Sequence, residues 1–350
     1  MTTSRRDFLT ALLCAYGALA AACRGERPAG PETAAARDPL VTNYNESGLP
    51  RLVEGKTLLV SFVSPSPLGE LEGSLPVFIT PESAGGKELE EKQPLFFYPD
   101  ADRRVMRTFL SAPLDVVEVP RELRVYPREQ HGDEHPWRFT YSIRRGVYRE
   151  ATLTLDKDFS SPSEEIIQHQ RKDFEEMVEI LKGRTERKWS QPFIKPTDQG
   201  DIDNFGVRRT VNGTKRYRHR GLDFHAPMGT EVHAVNDGTV VLSTEQWTAG
   251  QTICLDHGGG VFSKYAHLSK KRVQEGEKVK QGQVIALSGN SGGQKAPPHL
   301  HLDIIVNGIH VDPKYFMRTA AQLLDAERAN PIPFSGQQAL PDGMKRKSLS

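Results

Sequence analysis

Cysteine is nearly missing from this 350-residue chain: there are three, and two of them, Cys14 and Cys23, lie in the first 23 residues. The body keeps Cys254 alone, which excludes an intramolecular disulfide framework there. Within Thr252-Ile253-Cys254-Leu255 it reads as a small buried hydrophobe. An excess of one charge is missing too, with 46 Lys and Arg against 45 Asp and Glu and a net charge of +1. Without a broad basic field, nucleic acid is excluded as the expected partner. Long apolar runs are also lacking. The run from Phe8 to Ala22 is about 15 residues, short of the roughly 20 that span a bilayer. Long helical periodicity is scarce, whereas Gly (30) and Pro (24) are plentiful. The length accommodates two domains of ordinary size, and the composition points to a β-rich, loop-rich protein.

The N-terminus is an address rather than part of the fold. Ser4-Arg5-Arg6-Asp7-Phe8-Leu9 precedes the apolar run, and small residues close it. Residues 1–23 therefore read as a signal peptide, in form similar to a twin-arginine signal; a chance Arg pair in an ordinary secretory signal is the alternative. Leu19-Ala20-Ala21-Ala22-Cys23 resembles a lipoprotein cleavage box, with Ala20 where a larger aliphatic residue is usual. Two outcomes are open: lipidation at Cys23, which would tie the chain to a membrane, or cleavage after Ala20 or Ala22 without lipid. Both export the chain to the periplasm or cell envelope. Residues 24–50, rich in Pro, Ala, Gly and charge, read as a flexible tether.

Residues 51–157 alternate apolar runs with turn residues. Strands are expected at Thr57–Val63, Leu75–Ile79, Leu95–Tyr98, Val105–Leu110, Phe139–Ile143 and Val147–Leu155, which favours a small immunoglobulin-like β-sandwich. His131-Gly132-Asp133-Glu134-His135 matches an inverted zinc motif that works only on a helix. Gly132 within it and Pro136 after it exclude that helix, so the segment reads as a polar loop. Residues 161–184 form a joining helix, with Phe174, Met177, Val178 and Leu181 at i, i+3, i+4 and i+7 and Ser161 or Ser163 as cap. Residues 190–317 return to short strands. Asn236-Asp237-Gly238 between Val232–Val235 and Thr239–Ser243 signals a tight hairpin. Residues 318–350 are expected to be a short helix and a disordered tail.

Eight of the eleven histidines fall between His219 and His310. In His299-Leu300-His301 the two imidazoles share one face of a strand, about 7 Å apart at Cα. Together with His219, Asp223 and His267 they supply two imidazoles and a carboxylate for a zinc ion with one position left for water, the form of a hydrolytic site. An extended strand would separate His219 and Asp223 by about 13 Å, so the chain must bend between them, and Gly221 permits it. Spacing alone does not say which histidine of the HxH pair binds metal.

The surroundings are more specific. Phe205-Gly206-Val207-Arg208-Arg209, His219-Arg220-Gly221-Leu222-Asp223 running on to Thr230, Ser263-Lys264-Tyr265-Ala266-His267, Val279 to Val284, and Pro298-His299-Leu300-His301 occur in this order. Over about Gln191 to Tyr315 the chain resembles the M23 (LytM/lysostaphin-type) zinc metallopeptidases, with Pro297-Pro298 where Gly-Pro is common. The preceding segment is similar, more weakly, to accessory sandwich domains attached to such peptidases. The resemblance implies an antiparallel β-sheet peptidase domain, one Zn2+ held by His219, Asp223 and His301, and catalytic roles for His267 and His299 beside the water and the scissile carbonyl. It implies an endopeptidase acting on stem or cross-link peptides of peptidoglycan. The competing reading is an autoinhibited or non-catalytic LytM-type regulator of wall amidases, which retention of all five positions argues against. A swinging-arm carrier is excluded because Asn236-Asp237-Gly238 offers no lysine. A phosphate loop at Gly289–Lys295 is excluded because the lysine follows no glycine and Ala296 stands where a hydroxyl would hold magnesium.

Overall fold

The computed structural model describes residues 40–42, 51–63, 71–75, 93–100, 104–116, 120–127, 137–293 and 296–329. The expected signal peptide, Cys23, most of the tether, the His131–His135 loop and the tail lie outside them.

The N-terminal strands are β1 (Leu40–Thr42), β2 (Arg51–Val53), β3 (Thr57–Val63), β4 (Leu71–Leu75), β5 (Gln93–Leu95), β6 (Tyr98–Pro99), β7 (Val105–Ser111), β8 (Pro120–Pro127) and β9 (Trp137–Arg144). They form two sheets, ordered β1-β3-β7-β6 and β2-β9-β8-β4-β5. Leu52, Leu123, Tyr141 and Ile143 of the second sheet share one buried cluster with Leu59, Phe62, Met106 and Phe109 of the first. The expected two-sheet arrangement is thus present, and three departures are informative. Leu40–Thr42, inside the segment read as a tether, pairs with β3. Leu71–Leu75 is a strand, while residues 76–79 of the strand expected at Leu75–Ile79 lie outside the described residues. β8 was not expected, because prolines at both ends resemble loop punctuation, yet a strand tolerates proline at its first residue.

All seven residues of β7 are buried, including Arg107, Thr108 and Ser111. Alternation is lost because both faces are covered. One face meets the sandwich core. The other meets a C-terminal helix: Phe109 packs edge-on against Phe316 at 5.4 Å, and Thr319 Oγ1 donates to Thr57 O at 3.2 Å. That contact joins the sandwich to the rest of the chain in one contiguous core.

After the sandwich come β10 (Glu150–Leu153), α1 (Lys157–Ser160) and α2 (Glu164–Leu181), then β11 (Arg208–Val211) and β12 (Lys215–Arg218). Ser163 caps α2 by accepting from Ile166 N. Met177 and Leu181 pack on Leu242, Cys254, Phe262 and Ile305, so the apolar stripe of α2 is core, and Cys254 is the buried hydrophobe expected. β10, the expected last sandwich strand, pairs instead in parallel with β11 and completes a three-stranded sheet with β12.

The large antiparallel sheet comprises β13 (Leu222–Phe224), β14 (Glu231–His233), β15 (Gly238–Gln246), β16 (Gly250–Gly258), β17 (Val261–Lys271), β18 (Lys278–Val279), β19 (Val284–Ser288), β20 (Leu300–Val306) and β21 (Ile309–Val311). Its path is β13-β20-β17-β16-β15-β18, with β19 also on β17, β14 on β19 and β21 on β20. β16 and β17 turn on Gly258, Gly259 and Gly260, all at positive φ, and a Cβ at Gly258 would stand 1.7 Å from Glu186 O.

The hairpin expected at Asn236-Asp237-Gly238 does not form: β14 pairs with β19, and β15 with β18 and β16. Long-range hydrogen bonds outweigh the local turn. Val235 N donates to Tyr265 Oη at 2.9 Å, and Asp237 accepts from Gln281 N and Lys280 Nζ, both at 2.8 Å. α3 (Pro313–Arg328) begins earlier than expected, with Asp312 as cap and Pro313 in the first turn. It buries Phe316, Ala320, Leu323 and Leu324 at i, i+4, i+7 and i+8. Among the described residues no helix is long and apolar enough to cross a membrane.

Candidate metal centre

Neighbouring strands bring the five histidine and aspartate positions together. Asp223 on β13 pairs directly with His301 on β20, and His301 pairs on its other side with Ala266, the residue before His267 on β17. His219 ends the segment after β12, and Gly221 lets the chain approach His301: a Cβ there would lie 2.5 Å from His301 Nε2. Its part is close packing as much as the bend expected of it. His299 enters β20 through an isolated bridge to Gly289.

Three ligand atoms converge. His219 Nε2 lies 3.1 Å from Asp223 Oδ1, His301 Nδ1 lies 2.8 Å from the same oxygen, and the two nitrogens are 3.0 Å apart. A tetrahedral cation with bonds of about 2.0–2.2 Å separates its ligand atoms by about 3.3–3.6 Å, so a few tenths of an ångström of relaxation admits zinc. Two imidazoles and one carboxylate are a fitting donor set that leaves a fourth position open.

The atoms facing away are all engaged. His219 Nδ1 donates to Asn204 O at 2.9 Å, which turns the Nε2 lone pair to the centre. Asp223 Oδ2 accepts from Asn204 Nδ2 at 2.7 Å and from Arg209 Nη2 at 3.1 Å, leaving Oδ1 inward. His301 Nε2 donates to Asp303 Oδ1 at 3.1 Å, and His310 Nδ1 reaches the same oxygen at 3.2 Å. Asn204 thus braces His219 and Asp223, and Asp303 braces His301, the kind of arrangement that orients side chains for metal binding.

Electrostatics follow from this packing. Burial disfavours the His301 cation, yet Asp303 and Asp223 beside it outweigh burial and lift its pKa to about 9. Burial raises the Asp223 pKa, but the His219 and His301 rings overcome that and hold it well below the usual carboxylate range. The pair of carboxylates draws positive charge to this point. His219 is lowered by burial.

His267 and His299 flank the cluster, their rings 4.7 Å apart, with His267 6.0 Å from the His301 ring. His267 Nδ1 donates to Ser291 O at 2.9 Å and His299 Nδ1 to Pro297 O at 2.8 Å. Both rings therefore keep an Nε2 able to accept a proton. Burial first, then His301 and His299, push the His267 pKa down to about 3. Its backbone sits at φ 61°, an uncommon conformation for a non-glycine residue, at an irregularity in β17. The groove over these residues has a volume of about 500 Å³, and one wall is α2, through Gln170, Asp173, Phe174 and Met177.

All five expected residues meet here. The sequence does not single out Asn204, Asp303, His310 or the α2 wall. One signal was available for Asp303: His299, His301 and Asp303 alternate along one strand face. No local signal marks Asn204, since its role depends on two ligands 15 and 19 residues away. His257, by contrast, is a structural residue. It bridges Asp237 O and Ser263 Oγ, both at 2.7 Å, and burial lowers its pKa to about 4.

Residues 217–313 match the family model of peptidase family M23. Over 106 residues the chain is 44% identical to the peptidoglycan DD-endopeptidase ShyA of Vibrio cholerae, covering 30% of this chain and 24% of that protein. Over 111 residues it is 35% identical to the DD-carboxypeptidase/endopeptidase Mpg of Neisseria meningitidis, covering 32% and 25%. The chain spans about a quarter of the length of these curated relatives. A solved structure of a candidate M23 peptidase from Pseudomonas aeruginosa superposes with a TM-score of 0.54 at 22% identity, over 76% of this chain and 94% of that one, a likeness of fold.

Proposed function

We propose, from the premise that this chain carries a peptidase family M23 domain, that it is a zinc-dependent endopeptidase acting on peptidoglycan stem or cross-link peptides in the bacterial cell envelope. The observation that carries the reading is the convergence of His219 Nε2, Asp223 Oδ1 and His301 Nδ1 with two further imidazoles beside them. Zinc held by these three atoms would acidify a water molecule and polarise the scissile carbonyl.

The chain's own residues supply the proton transfers. The Nε2 of His267 or His299 accepts the proton of the attacking water, and the other imidazole, once its Nε2 carries a proton, donates to the developing oxyanion or the leaving amine. Burial keeps His267 neutral at ordinary pH. The names of the matched relatives support peptidoglycan as the substrate. Export through the N-terminal signal, with or without a lipid at Cys23, would bring the enzyme to it.

The test is digestion of purified peptidoglycan by metal-loaded residues 24–350, with mass analysis of the fragments. New amine and carboxyl ends, lost without zinc and in His301→Ala, are the expected result. An intact wall with zinc bound would replace this reading with the autoinhibited or non-catalytic regulator.

A further inference from the structure

Beside the catalytic groove lies a second cavity of about 510 Å³, built where β10, β11 and β12 meet the sandwich. Five arginines line it against three carboxylates, Glu54, Asp115 and Glu150. The carboxylates are already engaged. Arg218 donates to Glu54 at 2.6 Å and to Asp115 at 2.7 Å, and Arg208 stands 3.9 Å from Glu150. Arg209 is turned toward Asp223. Arg216 is exposed and makes no ion pair among the described residues, and Arg145 adds another exposed guanidinium to the rim.

The register sharpens this. Arg208 lies directly opposite Arg218, and Thr210 opposite Arg216, so three arginines share one face of the β11–β12 pair. Like charges facing one another across a ladder cost stability unless anions neutralise them. Arg216 and Tyr217 border both this cavity and the groove that holds His219 and His267.

We propose that this cavity is a carboxylate-binding subsite of the catalytic groove, with Arg216 as its anion-binding residue, so that the chain selects peptides bearing a free carboxylate near the bond that is cut. The guanidinium fork matches a carboxylate in two parallel hydrogen bonds. An extended peptide advances about 3.3 Å per residue, so one that crosses the metal centre enters the adjoining cavity within a few residues. The inference rests on the peptidase reading above and deepens it by naming the charge of the substrate.

The test is equilibrium binding, at low salt, of a synthetic stem tetrapeptide with free carboxylates and of its fully amidated counterpart. The protein is the zinc-loaded full chain carrying His299→Ala to suppress turnover, with and without Arg216→Gln. The free-carboxylate peptide is expected to bind about tenfold or more tighter, as befits a charge-assisted bond. Arg216→Gln removes the difference, and Arg216→Lys restores part of it. Equal affinity for both peptides, a preference that survives Arg216→Gln, or no binding of the free-carboxylate peptide would overturn the subsite. Wall digestion without the preference leaves the peptidase reading standing and removes the subsite. The preference without wall digestion does the reverse.

Discussion

β7 and β20 are both seven-residue strands with almost every residue buried, yet they treat their polar side chains in opposite ways. In β7, Arg107 Nη1 and Thr108 Oγ1 are buried without a hydrogen-bond partner among the described residues. In and beside β20, every side-chain nitrogen and oxygen of His219, Asp223 and His301 has a partner. β7 is a packing strand, closed on one side by the sandwich core and on the other by α3. β20 gives Leu300, Leu302 and Ile304 to the core and turns His301 and Asp303 the other way, toward the groove. Equal burial therefore serves different ends. Where both faces are apolar contacts, an unpartnered hydroxyl is a tolerated loss. Where one face must hold the site in place, the polar atoms of His219, Asp223 and His301 are each fixed by another.

Substitutions can break or sharpen this contrast. His299→Ala has the largest expected effect on chemistry: zinc stays bound, measured by metal analysis, while the cleavage rate falls by about 10²–10⁴-fold. Loss of zinc in that variant would make His299 a ligand instead. The next effect is on stability and concerns pH. His257 has a folded pKa of about 4 against an ordinary 6.5, so the unfolded chain binds the proton more readily. Its contribution is unaffected above about pH 6.5 and is lost as pH falls from there toward 4. The loss is on the order of 3 kcal/mol and is read by denaturant melts at pH 7 and pH 4.5. His257→Gln should flatten that slope.

Asn204→Ala comes third. It leaves the three ligands in the chain but removes the amide that holds Asp223 Oδ2, so zinc affinity is expected to fall about 10–100-fold in competition with a chelator. Thr108→Val is the counterpart in β7. It replaces an unpartnered buried hydroxyl by a methyl group, and is expected to change stability by less than about 1 kcal/mol and zinc affinity not at all. Equal effects of Asn204→Ala and Thr108→Val on metal binding would erase the distinction between the two strands.

Much of this was legible in the chain order. The alternation of His299 and His301 places both on one strand face, periodicity marks the stripe of α2, and of the two candidate caps, Ser161 and Ser163, the structure uses Ser163. The tight turn at Asn236-Asp237-Gly238 was also read locally, and there the local signal lost. The Asp237 carboxylate is consumed by Lys280 and Gln281, and Val235 N just before the turn by Tyr265, partners up to 44 residues away. β8 was hidden by its terminal prolines, and β10 by pairing with a strand on the far side of two helices.

The cluster of candidate site histidines, the mainly β character and the strand that carries His301 follow from the order of residues, because side-chain chemistry and a period of two are properties of the chain itself. The brace of Asn204, the support of His301 by Asp303 and His310, the wall of α2 and the arginine cavity shared by β11 and β12 required the folded molecule. Each depends on hydrogen bonds, burial or charge between segments far apart in the chain, and the energies of such contacts exist only once the core has brought those segments together.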